Sequence, residues 1–272
     1  MKCVTCISDK ENIGYKKALK ASCDYHNIAL ITLFHSHEWQ SHRNKDSYLR
    51  TFLQSVHPEE IIFFTDGYDT FFIDNEKNIL DRYRLLSNDG EYIVVSAEKN
   101  CFPNKRIANE FPVVHTPYRY LNSGGMIGKA KQLLEVLTAI EQESKDLEYE
   151  NKDIYKWSNQ YLWSLIYLKK THKIILDINC ILFQAFVNEM GTTSIFVSYR
   201  NEPFVSKFIA VKAIQKTLCN VRLEGHSVQN LITGTFPIHL HFAGPIMKNL
   251  LFQYPFDTFI EKFSKIKTNL FT

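Results

Sequence analysis

Ile61-Ile62-Phe63-Phe64-Thr65-Asp66-Gly67-Tyr68-Asp69 is the stretch around which the 272-residue chain reads as organised. Four apolar residues, led by two β-branched ones and preceded by Pro58-Glu59-Glu60, predict a strand buried on both faces of a parallel or mixed sheet. That strand ends at Asp66. Parallel-sheet proteins bind ligands beyond the carboxyl ends of their strands, so two carboxylates three residues apart are placed there for chemistry. Gly67 between them permits a tight turn that brings both side chains to one side. Hard oxygen ligands in an open turn suit Mg²⁺ or Mn²⁺. The bland alternative is an Asx-type turn with solvated acids, because Asp-x-x-Asp is weakly specific by itself.

Length is compatible with one domain over residues 1–272, and no stretch has the composition of a linker. At 45% hydrophobic and 22% charged residues, the composition is that of an ordinary globular protein. With a formal charge of +3 and scattered lysines, nothing argues for a nucleic-acid groove. The apolar run near Met1 is too short for a signal-peptide core, and no later stretch reaches the roughly 18 apolar residues of a membrane helix. The expectation is a soluble, cytoplasmic protein. Six dispersed cysteines fit a reducing compartment. Cys3-x-x-Cys6 invites a zinc reading, but the two face opposite sides of a predicted strand and no second Cys/His pair matches, so small buried thiols are the simpler reading.

The pattern along the chain is strand and helix in alternation. Lys2 to Ile7 predicts a first strand, Ile13 to Tyr25 a helix, Ile28 to Phe34 a second strand, and Asp46 to Val56 a helix that leads to the Asp66 strand. Such alternation is the signature of a doubly wound α/β layer. Glu76 to Leu86 reads as a helix stopped by Ser87-Asn88-Asp89-Gly90, and Tyr92 to Glu98 as the next strand. Asn122-Ser123-Gly124-Gly125 reads either as a tight turn or as backbone that closely approaches a ligand. Leu133 to Ile140 predicts a helix, and the charged run from Glu141 to Lys152 a solvated helix end or loop. Asp153 to Leu168 reads as one long amphipathic helix, and Ile174 to Asp177 and Ile181 to Phe183 as short strands. Gly191 to Ile232 is the least readable part, with weak alternation over Ser194 to Tyr199. Phe236 to Phe242 alternates cleanly and puts His239 and His241 on one face. A lone histidine on such a strand is more often a core residue than a ligand.

Several of these stretches together resemble one family. Thr65-Asp66-Gly67-Tyr68-Asp69, Ser96-Ala97-Glu98, Cys101-Phe102-Pro103, Arg119 to Gly128, Leu176-Asp177, Phe183-Gln184 and His241-x-x-Gly244-Pro245 occur in this order. The same order and similar spacing mark the glycosyltransferase domain of the multifunctional procollagen lysyl hydroxylases and related collagen-type sugar transferases. The likeness covers nearly the whole chain. It implies a GT-A fold, a Rossmann-like α/β architecture with a largely parallel mixed central sheet flanked by helices, that binds a UDP-sugar and a divalent metal, usually Mn²⁺.

Carried over by position, the resemblance makes Asp66, Asp69 and His241 the metal ligands and Tyr68 the ring that stacks on uracil. It places Trp39, Lys45, Ser123, Gly124, Gly244 and Lys248 around the nucleotide sugar and makes Phe102 an aromatic lid in place of a tryptophan. Asn122, Asn159, Gln160 and Asp177 are the expected catalytic set, with Asp177 also readable as a turn cap. One departure matters. The family's acidic pair is replaced by Ser158 and Asn159, neither of which can act as a carboxylate base. A neighbour such as Asp153 or Glu98 substitutes, or the sugar and acceptor specificity has changed, or transfer is weak. The leading expectation is a metal-dependent transferase that moves a hexose from UDP-glucose or UDP-galactose to a hydroxyl acceptor, which the resemblance suggests could be hydroxylysine-linked. The runner-up is a catalytically silent UDP-sugar-binding protein. A metal-dependent phosphohydrolase using Asp66 lacks a nucleophile pattern elsewhere in the chain.

Overall fold

Alternating side chains of the central strands divide the interior in two, and the rest of the fold follows from covering both faces. A computed structural model describes residues 1–37, 39, 41–149, 154–187, 217–224, 227–244, 247–248 and 251. Strand β1 (Lys2–Ile7) leads through a helical segment, π-helical over Tyr15–Lys20 and ending in α1 (Ala21–Tyr25), to β2 (Leu30–Phe34). Helix α2 (Asn44–Leu53) precedes β3 (Ile61–Asp66), and β4 (Thr70–Phe72) follows it directly. Next come α3 (Glu76–Ser87), β5 (Ile93–Glu98), a 3-10 turn (Lys105–Glu110) and β6 (Tyr120–Lys129). Helices α4 (Ala130–Tyr149), α5 (Ile154–Trp157) and α6 (Asn159–Lys169) then lead to β7 (Ile174–Leu176) and β8 (Phe183–Phe186). Last are β9 (Val221–Glu224), β10 (Ser227–Asn230) and β11 (His239–Phe242).

The central sheet has six strands in the order β2-β1-β3-β6-β5-β7. All pairings are parallel except those of β6, which runs antiparallel to both β3 and β5. This is the expected mixed, largely parallel α/β sheet flanked by helices. On one face Val4, Ile62, Phe64 and Val95 pack under α2, α4 and α6 through Leu49, Leu137 and Leu162. On the other, Cys3, Phe63, Val94 and Ile127 meet Leu19, Ile79 and Tyr83. Each fully buried phenylalanine in these layers contributes about 2–3 kcal/mol relative to exposure. Cys3 and Cys6 lie on opposite faces as buried free thiols, as their odd spacing predicts. Among the described residues no helix is long and apolar enough to cross a membrane.

A second sheet, in the order β4-β11-β8, packs Phe72, Phe183 and His239 against Phe63 on one face of the first. In it β11 runs antiparallel to β4 and parallel to β8. Because β4 begins four residues after the end of β3, His241 on β11, paired with Thr70, is brought to the carboxyl end of β3.

Two elements differ from the sequence-based expectation. The stretch around Asn122 to Gly125 is neither a turn nor a loop but the middle of the ten-residue β6. Its register against β5 jumps from Val95–Met126 to Ser96–Asn122, so residues 123–125 bulge out of that ladder. Glycines conceal the strand in the sequence. A Cβ on Gly125 would lie 2.8 Å from the Phe183 ring, so the small residues allow the second sheet to dock. The single helix expected from Asp153 to Leu168 is broken at Ser158, whose extended backbone and hydroxyl, accepting from Tyr161 N at 3.2 Å, cap α6. The charged run after Glu141 is the expected helix end, with α4 continuing to Tyr149. Asp153, Pro245, and the weak alternation over residues 194–199 lie outside the described residues.

Candidate metal centre

Asp66, the last residue of β3, and Asp69, on the turn to β4, face His241 on β11. Gly67 makes this turn fit, since a Cβ there would lie 2.3 Å from Ile7 Cγ2. His241 Nε2 is 3.8 Å from Asp66 Oδ2 and 3.6 Å from Asp69 Oδ1. One donor atom from each of the three lies within 4.8 Å of the others, a spacing that an ion at about 2.1 Å from each ligand would draw together. The remaining carboxylate oxygens are occupied by cations. Lys45 Nζ, from α2, is 2.6 Å from Asp66 Oδ1, and Lys248 Nζ is 2.9 Å from Asp69 Oδ2. Gly244, at φ +86, turns the chain after β11, and its carbonyl accepts from Lys248 N at 3.0 Å.

The protonation pattern of His241 is fixed by its neighbours. Asn122 Nδ2 donates to Glu98 Oε2 at 2.8 Å, and its Oδ1 accepts from Gly124 N at 3.0 Å, which orients the amide. That same Oδ1 is 2.9 Å from His241 Nδ1. Nδ1 therefore donates to Asn122, and loss of the Nε2 proton leaves a lone pair pointed at Asp66 and Asp69, as a metal-binding histidine requires. Asn122 thus orients a ligand. Burial works against the charge on Asp69, but Lys248 and His241 outweigh it and hold the carboxyl well below the ordinary value. Burial likewise opposes protonation of His241, while Asp69 and Asp66 raise its pKa overall. His239, the neighbour on the same face, packs inside and meets Thr65 Oγ1 through Nε2 at 2.7 Å.

Around this centre the bulge in β6 sets a polar wall. Ser123 N donates to Gln160 Oε1 at 3.1 Å, and Ser123 Oγ to Asn159 Oδ1 at 3.3 Å. Gln160 Nε2 donates to Glu98 Oε1 at 3.2 Å and to the Phe102 carbonyl at 3.1 Å. Glu98 is 3% exposed, and burial pushes its pKa up to about 7 against the two amide donors and His241. Phe102 and Trp157 meet edge to face at 6.1 Å, both partly exposed. The Tyr68 hydroxyl accepts from Ser8 N and Asp9 N at 2.8 and 2.7 Å, which pins its half-buried ring beside the end of β1. Trp39 lies edge to face with His35 at 5.5 Å, and His35 Nδ1 meets the Tyr48 hydroxyl at 3.0 Å.

Asp66, Asp69, His241, Lys45, Lys248, Asn122, Ser123, Gly124, Asn159 and Gln160 are thus joined through a few contacts. Asp177 is different. Its two oxygens accept from the backbone N–H groups of Ile181, Leu182 and Phe183 at 2.7–2.9 Å, the contacts of a turn cap. Two acids belong to the constellation without having been in the candidate set. Glu98 was signalled only as a stand-in for the missing pair. Asp46, whose Oδ1 accepts from Asn159 Nδ2 and Trp163 Nε1, each at 3.3 Å, had no signal beyond lying next to Lys45.

The family model described as the PLOD GT domain matches residues 1–254. The chain is 27% identical over 255 residues to procollagen-lysine,2-oxoglutarate 5-dioxygenase 1 of Pongo abelii, covering 89% of this chain and 30% of that one. It is 26% identical over 238 residues to an uncharacterized protein of Acanthamoeba polyphaga mimivirus, covering 84% of this chain and 43% of the other. The chain therefore spans less than half the length of these curated relatives. A glycosyltransferase involved in glycosylation of the major capsid of PBCV-1 superposes with a TM-score of 0.49 at 13% identity, covering 93% of this chain and 98% of that chain.

Proposed function

The chain belongs to the PLOD GT domain family of glycosyltransferases, and from that premise we propose that it transfers a hexose from UDP-glucose or UDP-galactose to a hydroxyl acceptor, with Mn²⁺ or Mg²⁺ held by Asp66, Asp69 and His241. The convergence of those three donors at the carboxyl end of β3, with Asn122 holding the His241 tautomer that leaves Nε2 free, carries the reading. When bound, the ion supplies positive charge that offsets the charge developing on the departing diphosphate. The chain's own groups do the rest. Lys45 and Lys248 bring two further positive charges to the same place. The pinned Tyr68 ring offers a face for uracil. Ser123, Gly124, Asn159 and Gln160 form the wall that the hexose meets, and the Phe102–Trp157 ring pair is the lid that would keep water from the donor.

No carboxylate stands at positions 158 and 159, where Ser158 is committed to the α6 cap. This favours, as a second reading, a protein that binds UDP-sugars without turning them over. Incubating the chain with Mn²⁺ and each UDP-hexose, alone and with hydroxyl acceptors, and measuring released UDP tests the proposal. The expected result is release that stops on addition of a chelator. Saturable UDP-sugar binding with no release would leave the second reading, and metal-independent release would reject the proposed metal role.

A further inference from the structure

Helix α2 delivers two consecutive charged side chains to this site, and the function proposed above uses only the first. Lys45 reaches Asp66, whereas Asp46 is buried against α6, 8% exposed. Its Oδ1 takes the Asn159 amide and the Trp163 indole N–H. Its Oδ2 is buried and meets no hydrogen-bond donor among the described residues. A carboxylate enclosed in this way is costly to the fold unless it does something there. Burial pushes its pKa up to about 6, against Lys45 and its two donors. Because Asn159 gives its N–H to Asp46, its carbonyl oxygen is left to accept from Ser123 Oγ. The carboxylate therefore sits two hydrogen bonds from the hydroxyl of Ser123, in the bulge of β6.

We propose that Asp46 is a positioning residue for the transferred sugar: its carboxylate holds the Asn159 amide, and through it the Ser123 hydroxyl, in the orientation that the hexose of a nucleotide sugar meets. The inference rests on the donor-site reading given above. It assigns the sugar side of the proposed donor site a buried acid supplied by α2, beside a neutral Asn159 and a Ser158 that caps a helix. The competing role is purely architectural. Asp46 lies in the first turn of α2, where an acid favours the helix dipole, and it ties α2 to α6.

Calorimetric titration of the full chain in Mn²⁺, with UDP and separately with UDP-glucose and UDP-galactose, separates the two roles. Asp46→Asn keeps the shape and removes the charge. It should leave UDP affinity unchanged and weaken the UDP-hexose about fivefold to tenfold, the difference between a charged and a neutral acceptor. The reciprocal variant Asp46→Asn/Asn159→Asp exchanges amide and carboxylate across the same contact and should recover most of that loss. Ser123→Ala removes the far end of the relay without changing a residue of either helix, and should show the same loss, with Asp46→Asn adding little to it. A UDP-hexose to UDP affinity ratio equal to wild type in Asp46→Asn or in Ser123→Ala, even with a lowered melting temperature, overturns the proposal. So does a reciprocal variant that regains thermal stability but not the ratio. If the wild-type chain binds no UDP at all, the donor-site reading falls and takes this inference with it.

Discussion

Asp69→Ala should lower Mn²⁺-dependent UDP release by at least about 10³-fold, equivalent to roughly 4 kcal/mol of lost transition-state stabilisation. Asp69 is 5% exposed and stands between two groups, with one oxygen toward His241 and the other 2.9 Å from Lys248. Its removal deletes one of three candidate ligands and leaves Lys248 without its carboxylate. Asp69→Asn keeps the volume and an acceptor but not the charge, so it separates ligand loss from cavity formation, and it should fall nearly as far. The same replacement should cost the metal-free protein thermal stability, because an ionised carboxylate held by a lysine and a histidine is part of the packing here. The comparison is therefore made on folded protein, checked by circular dichroism. Release within tenfold of wild type would remove Asp69 from the centre.

Gly124→Ala is the second large effect, and it acts without touching any charged group. A Cβ at this position would lie 2.1 Å from Cε1, 2.5 Å from Nδ1 and 2.9 Å from Nε2 of His241. Contacts under 3.0 Å are not tolerated, so the ring has to move. It has little room, being 4% exposed and tied to Asn122 Oδ1. Mn²⁺ affinity should fall by about 100-fold or more as Nε2 leaves the carboxylates, with a stability loss of about 1–3 kcal/mol from overpacking. The double variant Gly124→Ala/His241→Ala relieves the clash and should regain stability without regaining metal, a non-additivity that only direct contact produces. Gly124→Ala with wild-type Mn²⁺ affinity would mean that His241 is not a ligand.

The sequence made the strand at the centre legible because Ile62 to Phe64 is buried on both faces, and such an apolar run has few alternatives. It also showed His239 and His241 on one face of an alternating strand. What distinguishes them came only from the fold, where Thr65 engages the first and the two aspartates face the second. Strand β6 escaped because its middle is Asn-Ser-Gly-Gly, with the β-branched signal replaced by residues small enough for Phe183 and the histidine rings to approach. The break before α6 escaped because a serine in a helical pattern is ordinary, and only its extended backbone makes it a cap. Asp46 escaped for a third reason. An acid in the first turn of a helix needs no explanation locally, and its burial depends on α6, more than a hundred residues away.

The most direct test is diffraction from crystals grown with Mn²⁺ and UDP, with data collected at the manganese absorption edge. One anomalous peak is expected, bonded at about 2.1–2.3 Å to a carboxylate oxygen of Asp66, a carboxylate oxygen of Asp69 and Nε2 of His241, with diphosphate oxygens completing the shell. A peak elsewhere, or bound UDP with no metal between it and these three side chains, would contradict the assignment.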